Sequence, residues 1–197
     1  MRLLASLALS SILGCGQGPH ADLKVQGSGT VAARVAPTCG ITGQLLLADS
    51  GIGHLRLGAS VVEVRRECEV LADTVRVNDE FVEIERVLLV RLGRDTVAAA
   101  IDQDGRVGRI FVDRGSLRTA DGVGIGTPLA ELLDRQGIYG GVGESALHIT
   151  VPPYCSLSFA LSEAGVYEQG DNVDAAQLRR LPASTKVQRI NIGPCAE

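Results

Sequence analysis

Two stretches of this chain carry the same short pattern, and any fold must place both. Leu55-Arg-Leu-Gly-Ala-Ser-Val-Val-Glu-Val-Arg65 aligns with Val123-Gly-Ile-Gly-Thr-Pro-Leu-Ala-Glu-Leu-Leu133 at an offset of 68 residues. Gly58 falls on Gly126 and Glu63 on Glu131; the apolar Leu55, Leu57, Val61 and Val64 fall on Val123, Ile125, Leu129 and Leu132. In each copy a small-residue turn releases a short amphipathic helix. Ser60 followed by Glu63 is a capping box, in which hydroxyl and carboxylate each satisfy a backbone N–H that the helix leaves over. In the second copy Thr127 is expected to cap, Pro128 suits the first turn, and Gly137 should end the helix. Leu129, Leu132 and Leu133 give the i, i+3, i+4 stripe of a helix buried on one face. The first helix should stop near Cys68. Helices this short are marginal alone, so they must pack on a sheet.

A second correspondence follows in the same order. Arg106-Val-Gly-Arg-Ile-Phe-Val112 aligns with Lys186-Val-Gln-Arg-Ile-Asn-Ile192 at an offset of 80. The larger offset implies an insertion, placed at Asp171 to Leu181, with Asp171 or Asn172 capping a short helix that ends before Pro182. Between the motifs the pattern is that of strands. Val75 and Val77 alternate with Thr74 and Arg76, and Val82 and Ile84 with Glu83 and Glu85. Val87-Leu-Leu-Val90 continues inward, with a bulge expected near Arg86. Gly93-Arg-Asp95 and Asp104-Gly105 are turn signals around a strand at Thr96–Ile101. Pro152-Pro153 separates strands at Ala146–Val151 and Cys155–Leu161, and Gly140-Gly-Val-Gly143 reads as a flexible loop. Val31 to Leu47 should add one or two strands, interrupted by Pro37 and Gly40. The expected class is therefore α+β, two repeats of a short helix packed on an antiparallel β-sheet, spanning 31–118 and 119–197.

The first fourteen residues have one positive charge, Arg2, then an apolar stretch and small residues. They fall short of the ~20 apolar residues that cross a bilayer and read as a signal peptide, 1–14. Ile12-Leu-Gly-Cys15 resembles the lipobox of bacterial lipoproteins. That resemblance implies cleavage before Cys15, acylation of its thiol and attachment to a membrane through the lipid. Gly16 stands where an Asp would favour inner-membrane retention, which implies the outer membrane, facing the periplasm, in a Gram-negative envelope. Residues 15–30, rich in Gly and Ser, read as a flexible tether.

Export places the remaining cysteines, Cys39, Cys68, Cys155 and Cys195, in an oxidising compartment. Four cysteines allow three connectivities, between which the sequence does not choose. The duplicated pattern favours Cys39–Cys68 and Cys155–Cys195, one bridge in each half.

A glycine-led short helix, antiparallel strands and a closing strand of the form basic-Val-x-Arg-Ile together resemble the BamE/SmpA lipoproteins of outer-membrane assembly. They also resemble the related repeat fold of β-lactamase-inhibitor proteins. The resemblance rests on Leu55–Val64 with Arg106–Val112, and on Val123–Leu133 with Lys186–Ile192. It implies binding to envelope proteins, lipids or secreted enzymes through the sheet face and its loops, and it carries no individual binding residue across.

Recognisable chemistry is sparse. A net charge of −4 provides no basic footprint for nucleic acid. Aromatics make up 3% of the chain and Trp is absent, which leaves few platforms for stacking bases or sugars. Gly122-Val-Gly-Ile-Gly126 fits neither the dinucleotide fingerprint nor the Walker loop. An EF-hand alignment on Asp102–Gly105 would put Ala100 and Phe111 at ligand positions. There is no G-x-S-x-G, no CxxC, and His20, His54 and His148 are scattered, so no metal, cofactor or catalytic residue is assigned. His148 reads as a solvent-side strand residue, and Glu83 and Glu85, opposite in facing to Arg86, read as a solvated face. The expectation is a non-catalytic, membrane-anchored envelope protein that binds or scaffolds a protein partner. Inhibition of a secreted hydrolase is the first alternative, and an envelope enzyme with an unrecognised site the second.

Overall fold

The computed structural model describes residues 37–40, 46–48, 50–78, 83–143, 146–162, 167–168 and 170–195. The stretches read as signal peptide (1–14) and tether (15–30), with Cys15 and His20, and also Val31 and Val82, lie outside these residues. Residues 35–197 form one compact unit.

Three two-residue strands come first: β1 (Leu46–Leu47), β2 (Gly51–Ile52) and β3 (Leu55–Arg56). They lead to α1 (Val61–Glu67) and a four-stranded meander: β4 (Glu69–Asn78), β5 (Glu83–Leu92), β6 (Asp95–Ile101) and β7 (Val107–Val112). After β8 (Arg118–Thr119) and α2 (Leu129–Leu132) a second meander begins with β9 (Tyr139–Gly143), β10 (Ala146–Thr150) and β11 (Leu157–Leu161). A detour through β12 (Asn172–Val173) and α3 (Ala175–Leu178) precedes β13 (Val187–Ile192). One nine-stranded antiparallel sheet takes up both meanders in the order β12-β9-β10-β11-β13-β7-β6-β5-β4.

This overturns the α+β expectation. The fold is mostly β, and among the described residues the three helices span only 7, 4 and 4 residues. Val64 alone is buried from α1, Leu129 and Leu132 from α2, and Leu178 from α3. Among the described residues no helix is long enough to cover a sheet face. The short strands and the coil complete the cover: Ile52 of β2, Leu55 of β3, and Leu117, Val123 and Ile138 between elements join the same core.

The alternation along the strands decides which face is apolar, since opposed residues of an antiparallel pair share a face. Leu88, Ala99, Ile110, Ile192 and Leu157 are successive cross-strand partners. All five are fully buried. Val112, Ile190, Phe159 and Ile149 form the next such row, equally buried. At roughly 1.5–3 kcal/mol for each large side chain, these rows dominate the stabilisation.

The hydrogen bonding of the two halves corresponds closely. Gly58 N–H donates to the Val107 carbonyl and Gly126 N–H to the Val187 carbonyl, both at 2.8 Å. Gly58 and Gly126 have φ of 77° and 85°, the left-handed region that glycine enters without a Cβ penalty. β6–β7 shifts register between Ala100 and Ile101, and β11–β13 between Ala160 and Leu161. At the junction Ile110 faces Ile192 and Val112 faces Ile190, about the central pair Phe111–Asn191. In both halves a glycine turn hands its N–H to a strand of a meander, and the helix is an accessory.

Local expectations fare unevenly. The Ser60–Glu63 box is present: Ser60 Oγ accepts from Glu63 N–H at 3.2 Å, and Ser60 N–H donates to Glu63 Oε2 at 2.8 Å. Thr127 does not cap α2; its Oγ1 accepts from Gly124 N–H and from Arg118, bracing the glycine turn instead. α2 stops at Leu132, well before Gly137. The cap of α3 is Asp174, boxed with Gln177, while Asn172 lies in a strand and Asp171 accepts from Glu168 N–H. The glycine-rich stretch 140–143 is not a loop but belongs to β9, where neighbours on both sides supply its backbone partners. The β4–β5 bulge falls between Val70 and Ala72, and Arg86 pairs in register with Val75.

Candidate functional site

The second face of the sheet carries the chemistry. Its central row runs Leu89, Ala98, Phe111, Asn191, Ser158 and Thr150. Small side chains flank it, Ala100 on one side and Ala160 on the other, so the floor stays low and polar groups meet across it.

Two clusters form. In the first, Glu85 on β5 takes Arg76 at 2.7 Å and Arg109 at 3.2 Å. The Arg76 guanidinium lies 3.8 Å from the centroid of the Phe111 ring, a cation–π contact. The Glu85 side chain is only 14% exposed, which corrects its reading as a solvated face. In the second cluster His148 Nδ1 lies 3.5 Å from both Ser158 Oγ and Asn191 Nδ2. His148 is half-buried in this face rather than turned to solvent.

Between the clusters opens a cavity of about 430 Å³, lined by Arg109, Gly141, Val142, Gly143, His148, Cys155, Ser156, Ser158, Asn191, Gly193 and Pro194. A neighbour of about 410 Å³ is lined by Glu85, Ala100, Ile101, Asp102, Gly108, Arg109 and Pro194. Arg109 and Pro194 belong to both, so the two form one groove with a shared wall. A cation, an imidazole, a carboxamide and hydroxyls converge there, a set suited to holding a polar partner.

The cysteines assigned from sequence are brought together. Cys39 is bonded to Cys68 beside α1, and Cys155 to Cys195 at the groove. His54 reaches Glu67 at 3.2 Å, away from the groove. Asp102, in the turn weighed as a calcium loop, accepts from Asp104 N–H and Arg106 N–H, as a tight turn requires. Among the described residues no three His, Cys, Asp or Glu could hold a metal ion. No described helix is long and apolar enough to cross a membrane.

Asp121 anchors a latch outside the groove. It accepts from Thr119 at 2.5 Å, from Tyr154 at 2.9 Å and from Arg135. Burial pushes its carboxyl up, but the hydrogen bonds from Thr119, Arg135 and Tyr154 outweigh this and hold it at about 2. Burial and the Asp121 charge push the Tyr154 hydroxyl up.

Sequence reading missed Arg76, Glu85, Arg109, Ser158 and Asn191 as a group. One signal was present: Asn191 is polar where the offset of 80 places Phe111 in the other half. Cross-strand neighbours could be known only from the register.

No family model matches the chain, and no curated protein matches it. Among solved structures it is similar to the crystal structure of the uncharacterized protein YfeY from Escherichia coli. The TM-score is 0.53 and the identity 18%, over 77% of this chain and 100% of that one. At that identity the likeness is one of fold.

Proposed function

We propose that this chain is an exported, lipid-anchored envelope protein that binds a protein partner without catalysis, and that the groove on the second sheet face takes that partner. The observation that carries the reading is the convergence of Arg109, His148, Ser158 and Asn191 from separate strands on one cavity. Core packing does not need such a set, since the apolar rows fill the opposite face. Polar groups arrayed on a rigid sheet give orientation and specificity to a partner. The lipobox-like Ile12–Cys15 and the two disulfides support export and anchorage through Cys15.

The test is site-specific photocrosslinking in the native cells, with the probe at Ser158 in the groove or at Val62, which is 73% exposed on α1. The expected result is one recurrent envelope protein captured from Ser158 and not from Val62, with capture reduced by Arg109→Ala. A recurrent secreted hydrolase would shift the reading to inhibition. Equal capture from both positions refutes the groove as the binding surface.

A further inference from the structure

We propose that the Cys155–Cys195 bridge is a thiol-exchange site, opened by a dithiol reductant that enters the groove and attacks Cys155. The two disulfides sit in opposite surroundings. Cys39 and Cys68 are 0% and 1% exposed, whereas Cys155 and Cys195 are both exposed. Thiol–disulfide exchange needs access for the incoming thiolate, so the buried bridge reacts only after local unfolding. Cys155 lines the larger cavity, which gives an attacker its path.

The geometry also assigns a direction. Ser156 Oγ lies 3.0 Å from Cys195 Sγ and 3.9 Å from Cys155 Sγ. A disulfide sulfur carries no proton, so the hydroxyl donates. It is placed to stabilise negative charge developing on Cys195, and a better leaving thiolate departs faster. The reductant's first thiolate forms a bond to Cys155 Sγ as the S–S bond breaks, and the electron pair passes to Cys195, which takes up a proton. The reductant's second thiolate then attacks its own sulfur in the mixed disulfide and releases Cys155. Two protein thiols result, and the dithiol leaves as a disulfide, having supplied two electrons.

The consequence for the groove rests on the binding reading above. β13 ends at Ile192, and Gly193 N–H still donates to the Ser156 carbonyl at 3.0 Å. Pro194, which with Arg109 makes the shared wall of the two cavities, comes between that bond and the bridge. Opening the bridge releases Pro194 and widens the groove on that side. The redox state thereby sets how much partner the groove accepts.

The test uses the oxidised full-length protein under native conditions. A brief pulse of reduced glutathione with excess alkylating agent, which caps the released Cys195 thiol before it can expel the glutathione, should give a glutathione adduct on Cys155. Dithiothreitol followed by alkylation should label Cys155 and Cys195 at least about tenfold faster than Cys39 and Cys68. Ser156→Ala should slow this severalfold with the adduct still on Cys155. Amide hydrogen exchange at Gly193 and Cys195 should rise on reduction, while β4 to β7 stay protected. An adduct on Cys195, equal rates for the two bridges, or unchanged exchange at Gly193 and Cys195 overturns the proposal. Photocrosslinking from Ser158 reads the binding surface separately, so failure of the exchange chemistry leaves that reading standing.

Discussion

Replacing Asp121 with Asn keeps the shape of the latch and removes its charge. The carboxyl lies at about 2, against an ordinary 3.8. A shift of that size corresponds to about 2.5 kcal/mol between the two protonation states. The side chain is 37% exposed, so water and salt screen the interaction, and about 1 kcal/mol is the figure to expect. A depressed folded-state value means the contribution is complete above the unfolded value and is lost as pH falls through the folded one. The stability difference between wild type and Asp121→Asn should therefore be about 1 kcal/mol at neutral pH, shrink between pH 4 and 2, and vanish below. Urea unfolding of both oxidised proteins across that range measures it. A difference that stays constant down to pH 2 would show that the charge of Asp121 does not hold the latch, and would refute the reasoning.

Three further outcomes follow from the same structure. Ser60→Ala removes the hydroxyl that accepts from Glu63 N–H and leaves only the backbone N–H half of the α1 box; it should cost about 1 kcal/mol in urea unfolding, with the sheet intact by circular dichroism. Ile110→Ala cuts a fully buried side chain from β7, at the junction of the two meanders, and should cost roughly 2–5 kcal/mol; a loss below about 1 kcal/mol would mean the two meanders do not share a core. Changing Cys39 and Cys68 together to Ser opens a loop with a sequence separation of 29, for which chain entropy gives about 3–4 kcal/mol. Calorimetry should show this as a lowered Tm.

Local chemistry was legible wherever a residue acts on its own neighbours. Ser60 and Glu63 are three apart, and the box they form depends on little beyond that spacing. Turns at Gly93 and Gly105 were readable for the same reason, since both glycines take positive φ. Reading failed where partners are remote. Thr127 had the position of a cap, but Arg118 and the Gly124 N–H claimed its hydroxyl. Tyr139 to Gly143 has a loop's composition, yet β10 and β12 hold it as a strand from both sides. Glu85 looked like surface charge until Arg76 and Arg109 were brought to it across the sheet.

The division between the two levels follows from the range of the forces involved. The Ser60 cap and the turns at Gly93 and Gly105 were set by the sequence itself, because steric limits on φ and short hydrogen bonds act within a few residues. The alternation in Val107–Val112 and Val187–Ile192 likewise settled which side chains turn towards the core. Sequence could not say that Ile110 would meet Ile192 and join both meanders into one sheet, leaving the helices as short accessories. Nor could it say that Arg109, His148, Ser158 and Asn191 would share a cavity. Those outcomes depend on strand order and register, which are decided by burying all the apolar rows at once, and a one-residue slip would have turned every groove residue to the other face.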